Sequence, residues 1–281
     1  MIICSSCNHH HNNELVKNIF ADTPTAMPVQ AGIIDEASGI ADSRINGGYL
    51  WVEQDSGNPP EIALLSYNGN FLKKIFIKNA INRDWEDMAI SKGPEAGAFY
   101  IYLADIGDNF LQYNSYTILR FKEPSFSLDT IAVYDKITFK YPDGSNNAEA
   151  ILVDSESKDI YLITKSDVKT NIYKLAFPQN TSNINNAVLV GSLPFTLVVG
   201  AGISMDGTEL IVKTYTALYY WKRAPTETID QAFKRPYITL GYQLEIQGEA
   251  IGFRNDNTGF FTLSEKPALV PSVYLNFYKR N

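Results

Sequence analysis

One short pattern recurs five times along the chain and constrains its fold more than any other feature. Each copy begins with a polar or small residue and continues as a nearly unbroken run of small and apolar residues. Repeats of roughly 40–50 residues are typical of β-propellers, in which each repeat forms one four-stranded blade. The sequence therefore predicts an all-β fold, a five-bladed β-propeller. Aligning the copies puts the following residues in one column, 48, 63, 52 and 48 residues apart: Ser38, Glu86, Glu149, Ala201 and Glu249.

Short strands bounded by turn residues account for most of the chain between the columns. Four strands are predicted in each of the first four repeats, but only three in the fifth, at residues 249–253, 260–263 and 273–279. A strand predicted at residues 15–20 would complete the fifth blade and close the ring. The extra length of the second repeat, at residues 124–135, is predicted to be a longer connection into its outermost strand. A six-bladed ring is the alternative, and it would need a degenerate blade within residues 124–142.

The chain is predicted to form one propeller domain at residues 14–281, preceded by a tail at residues 1–13. In this tail Ser6 and Cys7 resemble the cleavage point of a bacterial lipoprotein signal, and a polar tether follows. On this interpretation Cys7 carries lipid, and the protein is extracytoplasmic and anchored to a bacterial membrane. The alternative is a tail with two free thiols, at Cys4 and Cys7.

Composition excludes several kinds of site in the body of the chain. All three histidines and both cysteines lie within residues 4–11. The body therefore has no Ser-His-Asp triad, no Cys-His pair and no zinc or copper site with His or Cys ligands. Its chemistry would need carboxylates, lysine, arginine, hydroxyls or a hard cation bound by oxygen. The net charge of −7 argues against nucleic-acid binding. Since no apolar run is long enough to span a membrane, membrane contact is expected only through the lipid anchor.

Three of the five column residues are glutamates at the head of otherwise apolar strands. In a blade the first strand lies innermost, beside the axial tunnel. The second strand runs antiparallel to it, so the head of the first lies level with the end of the second. We therefore predict an acidic mouth of the tunnel. The ends of the second strands add these residues to the same mouth: Glu53, Asp55, Asp105, Asp108, Lys165, Lys213, Glu265 and Lys266.

Three glutamates around one axis repel each other, and burial increases the cost, so the arrangement requires compensation. A Ca²⁺ ion is one solution, because it takes six to eight oxygen ligands. A network in which Lys165 and Lys213 neutralise the glutamates is the second, and protonation of one glutamate is the third. The predicted metal ligands are Ser38, Glu86, Glu149 and Glu249.

The column resembles that of the calcium-activated nucleotidases (apyrases), five-bladed propellers whose inner strands present Ser, Glu, Glu, Ser and Glu to a central calcium ion. Four positions match, and Ala201 departs from the pattern in the fourth. The sequence motifs at residues 85–89, 104–109 and 248–251 are similar to those of secreted bacterial propellers of the SdiA-regulated and phytase-like-esterase kind. These resemblances imply a calcium-binding propeller, and they imply no particular substrate.

Two functions of different classes fit these observations. The first is a metal-dependent hydrolase of phosphate or lactone esters, in which Asp105 or Glu265 serves as the catalytic base. Lys165, Lys213 and Asp55 would bind its ligand. The second is a non-catalytic cell-surface module that binds a small molecule, a glycan or a protein partner at the tunnel mouth. A monomer is expected in either case.

Overall fold

The computed structural model describes residues 19–267 and 270–281, which form five antiparallel blades around one axis. The inner strands of neighbouring blades pack side by side around this axis. The five-bladed prediction is confirmed. The six-bladed alternative is wrong, because residues 124–142 contribute strands to two of the five blades and form no blade of their own. The predicted lipoprotein segment, residues 1–13, lies outside the described residues, and the anchor stays a prediction.

The strands are numbered in chain order. Strand β1 (Thr25–Pro28) precedes blade 1, which contains β2 (Ala37–Asp42), β3 (Tyr49–Gln54), β4 (Glu61–Ser66) and β5 (Phe71–Ile77). Blade 2 contains β6 (Trp85–Lys92), β7 (Phe99–Asp105), β8 (Tyr116–Lys122) and β10 (Asp135–Lys140); between the last two, β9 (Thr130–Ile131) belongs to the sheet of blade 1. Blade 3 contains β11 (Ala148–Val153), β12 (Ile160–Thr164), β13 (Thr170–Leu175) and β15 (Val188–Leu193); between the last two, β14 (Asn185–Asn186) belongs to the sheet of blade 2. Blade 4 contains β16 (Val198–Ile203), β17 (Glu209–Thr214), β18 (Leu218–Lys222) and β19 (Ile238–Leu240), with helix α1 (Ile229–Ala232) before the last. Blade 5 contains β20 (Gly248–Phe253), β21 (Gly259–Ser264) and β22 (Tyr274–Lys279).

The N-terminal strand closes the ring, as predicted, and within the described residues the closing strand lies at residues 25–28, later in the chain than the predicted residues 15–20. Strand β1 pairs antiparallel with β22 over its whole length and becomes the fourth strand of blade 5. Phe20 forms only an isolated bridge with Arg280, and residues 15–18 lie outside the described part of the chain. A bend at residues 22–24 interrupts the pairing, and the ladder resumes beyond Pro24 along the same edge.

Two short strands tie consecutive blades together at their outer edges. Strand β9 follows β8 of blade 2 in the chain but pairs parallel with β5 of blade 1. In the same way, β14 follows β13 of blade 3 in the chain but pairs parallel with β10 of blade 2. The extra length of the second repeat is therefore more than a connection, because it covers an edge strand of the preceding blade.

The core consists of five apolar layers, one between each pair of neighbouring blades. An inner strand contacts a blade on each side, so residues on both of its faces are buried. Strands β11 and β20 are buried at every position, which explains their continuous apolar sequence. Within the described residues, no helix is both long enough and apolar enough to cross a membrane.

Candidate metal centre at the tunnel mouth

Every inner strand begins with a β-bulge at the same position. Such a bulge leaves one residue unpaired and redirects its side chain. This explains how the glutamate side chains can meet near the axis although the strands that carry them are packed on both faces. The pairing register shifts around these residues: Ser38, Glu86, Glu149, Val199 and Glu249.

The fourth bulge residue is Val199, so the alignment of Ala201 with the glutamates was wrong. Strand β16 ends at Ile203. Ser204 already begins a turn, in which its carbonyl accepts a hydrogen bond from the N–H of Gly207 at 2.8 Å. Relative to this turn, Val199 occupies in blade 4 the position that Glu149 occupies in blade 3. Ala201 lies deeper, in an apolar section of the tunnel.

Glu86, Glu149 and Glu249 form one buried cluster. Each offers a carboxylate oxygen, and the three oxygens lie within 4.8 Å of one another. Two ligands on opposite sides of a calcium ion, each at about 2.4 Å, are about 4.8 Å apart, so the three oxygens fit around one ion. The Ser38 hydroxyl also lies in this cluster and donates to Oε2 of Glu249 at 3.4 Å. The structure thus brings all four predicted ligands together.

A second acidic group adjoins the first through a shared residue. Carboxylate oxygens of Asp55, Asp84 and Glu86 lie within 4.8 Å of one another. Sequence reasoning missed Asp84, which stands two residues before the bulge in the loop leading into β6. A signal was present, because the same place is polar in four of the five repeats. These residues are Glu36, Asp84, Asn147 and Gln247.

Lys165 supplies the positive charge closest to the cluster. Its Nζ donates to Oε2 of Glu149 at 2.9 Å and lies 3.9 Å from Oε1 of Glu249. It also donates to the Tyr215 hydroxyl at 2.9 Å, which in turn donates to Oε1 of Glu249 at 2.7 Å. Asn147 donates its Nδ2 to the other oxygen of Glu149 at 3.0 Å. Two of the three glutamates are therefore well hydrogen-bonded by protein groups.

Glu86 is different from the other two glutamates. It is 4 % exposed, and its side chain accepts no hydrogen bond from any described residue. Burial raises the pKa of Glu86 well above its ordinary value, and the charges of Glu149 and Asp55 raise it further. Burial also raises the pKa of Glu149 to about 7, although Lys165 opposes this. When all three glutamates are ionised, their negative charge exceeds the positive charge of Lys165, which lies beside Glu149 and Glu249.

Lys213 lies elsewhere than expected. Its side chain is fully buried, donates to the Tyr242 hydroxyl and lies 3.3 Å from Oε2 of Glu245. Burial lowers its pKa. The two lysines differ in their position along the second strand of the blade. Lys213 lies within β17, where it pairs with Gly200, whereas Lys165 follows the end of β12. The residue of blade 4 that corresponds to Lys165 is Tyr215.

The two predicted base candidates have different environments. Asp105 accepts a hydrogen bond from the backbone N–H of Asp84 at 2.9 Å and lies 3.5 Å from Arg83. Burial raises its pKa to about 6. Glu265 is half-buried and accepts one hydrogen bond, from Gln247 at 2.9 Å. Burial, followed by the charge of Glu249, raises the pKa of Glu265 to about 8.

The other acids predicted at the mouth, and Lys266, have different environments. Burial raises the pKa of Asp55 to about 6. Asp108 organises the loop after β7, where it accepts a hydrogen bond from the Tyr116 hydroxyl at 2.8 Å. Glu53 is fully buried, and Lys266 lies 2.5 Å from Asp35 at the rim.

An apolar section of the tunnel lies beneath the acidic cluster. The cavity there measures about 30 Å³, enough for roughly one water molecule. The tunnel is therefore narrow beneath the acidic mouth, and Asp42 and Arg44 also line this narrow section. The residues two positions after each bulge line this section: Ile40, Met88, Ile151, Ala201 and Ile251.

Comparisons with known proteins find similarity at the level of fold. No protein-family model matches the chain, and no curated protein matches it. The PQQ domain of pyranose dehydrogenase from Coprinopsis cinerea is 12% identical, with a TM-score of 0.52, over 93% of this chain and 96% of that one. A chain of a nidogen–laminin complex is 13% identical, with a TM-score of 0.45, over 81% of this chain and 72% of that one. These likenesses concern the fold alone. No family is assigned, and the resemblances to calcium-activated nucleotidases and to SdiA-regulated or phytase-like-esterase propellers stay predictions.

Proposed function

We propose that the acidic tunnel mouth binds a calcium-type divalent cation through Glu86, Glu149 and Glu249. The observation that carries this proposal is the state of Glu86, a buried carboxyl group without a hydrogen-bond donor among the described residues. Its oxygen lies within 4.8 Å of oxygens from the other two glutamates. A buried carboxylate is costly unless it is paired, protonated or bound to a metal. Lys165 pairs with Glu149 and approaches Glu249, which leaves Glu86 for the ion.

The donor set favours calcium over smaller or softer ions. Every candidate ligand is an oxygen, and the adjoining Asp55 and Asp84 can extend the set beyond three carboxylates. Calcium accepts six to eight oxygens in flexible geometry, whereas magnesium requires a near-ideal octahedron and retains several waters. Zinc would favour nitrogen and sulfur ligands, which the body of the chain lacks.

We further propose that the centre supports hydrolysis of a phosphate or lactone ester. A bound divalent cation would polarise the scissile group and stabilise the charge that develops on it. Glu265 is the better placed base of the two candidates, because only one of its oxygens is hydrogen-bonded and its pKa lies near neutrality. Asp105 is held by the backbone of Asp84 and by Arg83, and it orients that arginine.

A non-catalytic binding module is the second candidate. The hydrogen-bonded chain from Glu149 through Lys165 and Tyr215 to Glu249 favours it, because this part of the cluster is satisfied by protein groups alone. On this alternative the cation or the lysine holds a ligand or partner at the mouth without a chemical step.

Calorimetric titration of the full chain with Ca²⁺ and Mg²⁺ tests the cation site. We expect calcium to bind more tightly, and a chelator to lower the melting temperature of the calcium-loaded protein. Ligand binding at a hundred times the dissociation constant stabilises by about 2.7 kcal/mol. Glu86→Gln should abolish most of this response, whereas Glu156→Gln, at an exposed side chain, should not. The cation proposal is wrong if calcium gives no heat of binding and no change in melting temperature, and if Glu86→Gln has a neutral or stabilising effect on the fold.

Lys165→Met separates a cation site from a network that lysine neutralises. Removing the lysine should lower the metal-free melting temperature, because Glu149 loses its partner. If the cluster binds calcium, the variant should bind it more tightly, by about tenfold, or ~1.4 kcal/mol. A variant that loses stability without gaining any calcium response would favour the lysine-neutralised network.

A panel of phosphate and lactone esters, assayed with calcium present, tests the chemical step. Glu265→Gln should reduce turnover strongly while leaving calcium affinity within a few-fold of wild type. If calcium binds but no ester is hydrolysed, the non-catalytic module is the better account.

A further inference from the structure

We propose that the opposite end of the propeller binds a small organic carboxylate through Arg44. The chain forms a cavity of about 250 Å³ there, at the ends of inner strands β6, β11 and β16. These ends lie opposite the strand heads that carry the glutamates, and the apolar section of the tunnel lies between the two sites. The lining residues that matter most are Arg44, Ile90, Ser91, Phe99, Val153 and Ile203.

Arg44 is a partly buried cation whose guanidinium forms no close ion pair within the described chain, although the charges of Asp42 and Glu123 act on it. It forms no ion pair with any carboxylate of the described residues, and its Nε is buried without a hydrogen-bond acceptor. Its Nη1 donates to the side chain of Asn255 in blade 5. The nearby Asp42 is already engaged, by the Tyr67 hydroxyl at 2.7 Å and the Asn255 backbone N–H at 2.6 Å. Neither Asp42 nor Glu123 bonds the guanidinium, so the buried Nε–H is left for an acceptor from the cavity that Arg44 lines, such as a carboxylate oxygen.

Ser91 provides a second unsatisfied group in the same cavity. It is nearly fully buried, and its Oγ has no hydrogen-bond partner among the described residues. Buried polar groups without partners are uncommon in native proteins. A carboxylate can accept hydrogen bonds from both Arg44 and Ser91, which would satisfy the two groups at once.

The other charged groups around the cavity already have partners. Lys92 lies 2.7 Å from Glu156, and Asp206 accepts hydrogen bonds from Ser204 and Thr208. Lys92 and Glu156 offset each other, and Asp206 in the same lining keeps its own negative charge, so the cavity suits a singly charged anion better than a phosphate dianion.

The walls and the size of the cavity define the rest of the ligand. The side chains of Ile90, Val153 and Ile203 provide apolar surface, and the ring of Phe99 lies 5.9 Å from the Arg44 guanidinium. At 250 Å³ the cavity is slightly smaller than typical sites for drug-sized ligands, which measure about 300–1,000 Å³. The ligand class is thus a small monocarboxylic acid with a short aliphatic or aromatic body.

Calorimetry and melting curves of the full chain with butyrate and benzoate test this proposal, with butyramide, benzamide and inorganic phosphate as comparison probes. We expect at least one acid to bind and the amides to bind at least about tenfold more weakly, because a charged hydrogen bond is lost. Arg44→Gln should weaken acid binding by about tenfold or more, and Ser91→Ala by a smaller factor.

Two variants keep the test decisive. Because Arg44 also contacts Asn255, Arg44→Lys retains the charge and should retain part of the binding if Arg44→Gln folds poorly. Glu86→Gln alters the acidic mouth and should bind the acids like wild type, so failure of the cation site does not affect this result. The proposal is overturned if no acid binds, if amides or phosphate bind as well as the acids, or if both Arg44 variants bind like wild type.

Discussion

The carboxylate of Asp87 accepts a hydrogen bond from the backbone N–H of Ile151, 2.9 Å away, across the boundary between blades 2 and 3. Its other oxygen accepts the N–H of Met88 at 2.8 Å, and the N–H of Ala201 in blade 4 also bonds to this carboxylate. Asp87 is almost completely buried, directly after the bulge at Glu86. One side chain thus joins the inner strands of three blades.

Asp87→Ala should therefore destabilise the propeller strongly. The substitution leaves buried N–H groups of Ile151 and Ala201 without their acceptor, and each such group costs about 1–3 kcal/mol. We expect a loss of about 3 kcal/mol or more in the free energy of unfolding, measured by urea denaturation. Asp87→Asn keeps one acceptor oxygen and should lose less. The exposed Asp167→Ala serves as the control, and an Asp87→Ala variant as stable as this control would contradict the assigned role.

Phe20→Ala should weaken the closure of the ring. Phe20 is 3 % exposed, and its ring lies 4.9 Å from that of Phe260 in blade 5 and 6.1 Å from that of Tyr220 in blade 4. Truncating a buried phenylalanine costs about 3–5 kcal/mol. Urea denaturation should show this loss, whereas Phe110→Ala, at a side chain that is 85 % exposed, should change stability little. Equal effects of the two substitutions would count against a structural role for Phe20.

Gly107→Ala should weaken calcium binding at the tunnel mouth. A Cβ atom at Gly107 would collide with carboxylate oxygens of Glu86 and Asp84, so these side chains would have to move. Calorimetry should show a calcium affinity reduced by about tenfold or more, since the ligand geometry is disturbed. Gly47→Ala is the matched control, because a Cβ there meets nothing within 4 Å. Unchanged calcium affinity in Gly107→Ala would place the ion away from Glu86.

Stability should fall as the pH rises from about 4 to 6, and Asp42 should contribute to this fall. Burial raises the pKa of Asp42 in the folded chain to about 6, from an ordinary value of 3.8. The folded state therefore binds its proton more tightly than the unfolded state does, and this stabilisation is lost as the pH rises through the window. The contribution is on the order of 2–3 kcal/mol.

Urea denaturation at several pH values checks this expectation in metal-free buffer. Asp42→Asn keeps an acceptor for Tyr67 but cannot ionise, so its stability should decline less steeply between pH 4 and 6. The variant should still lose some stability across this window, because burial also raises the pKa values of Asp55 and Asp105 to about 6. Stability that rises across this window, or an identical slope in the variant, would refute the assignment to Asp42.

The five blades and the glutamates of the tunnel mouth were predictable from the amino-acid sequence. Both follow from local patterns, because an inner strand is packed on two faces and must be apolar along its whole length. A glutamate at the head of such a strand, as at Glu149, is visible without knowledge of any other blade. The need for closure was also visible, since the fifth repeat has only three strands of its own.

Features that depend on contacts between residues far apart in the chain could be seen only in the folded structure. The bulge sets Val199, rather than Ala201, level with the glutamates, and two residues along the chain separate buried Lys213 from Tyr215 at the mouth. Asp87 stands beside Glu86 in sequence, yet it binds backbone groups of other blades while Glu86 faces the axis. A period-two strand pattern cannot reveal such a shift, because a single inserted residue reverses which side chains face the axis.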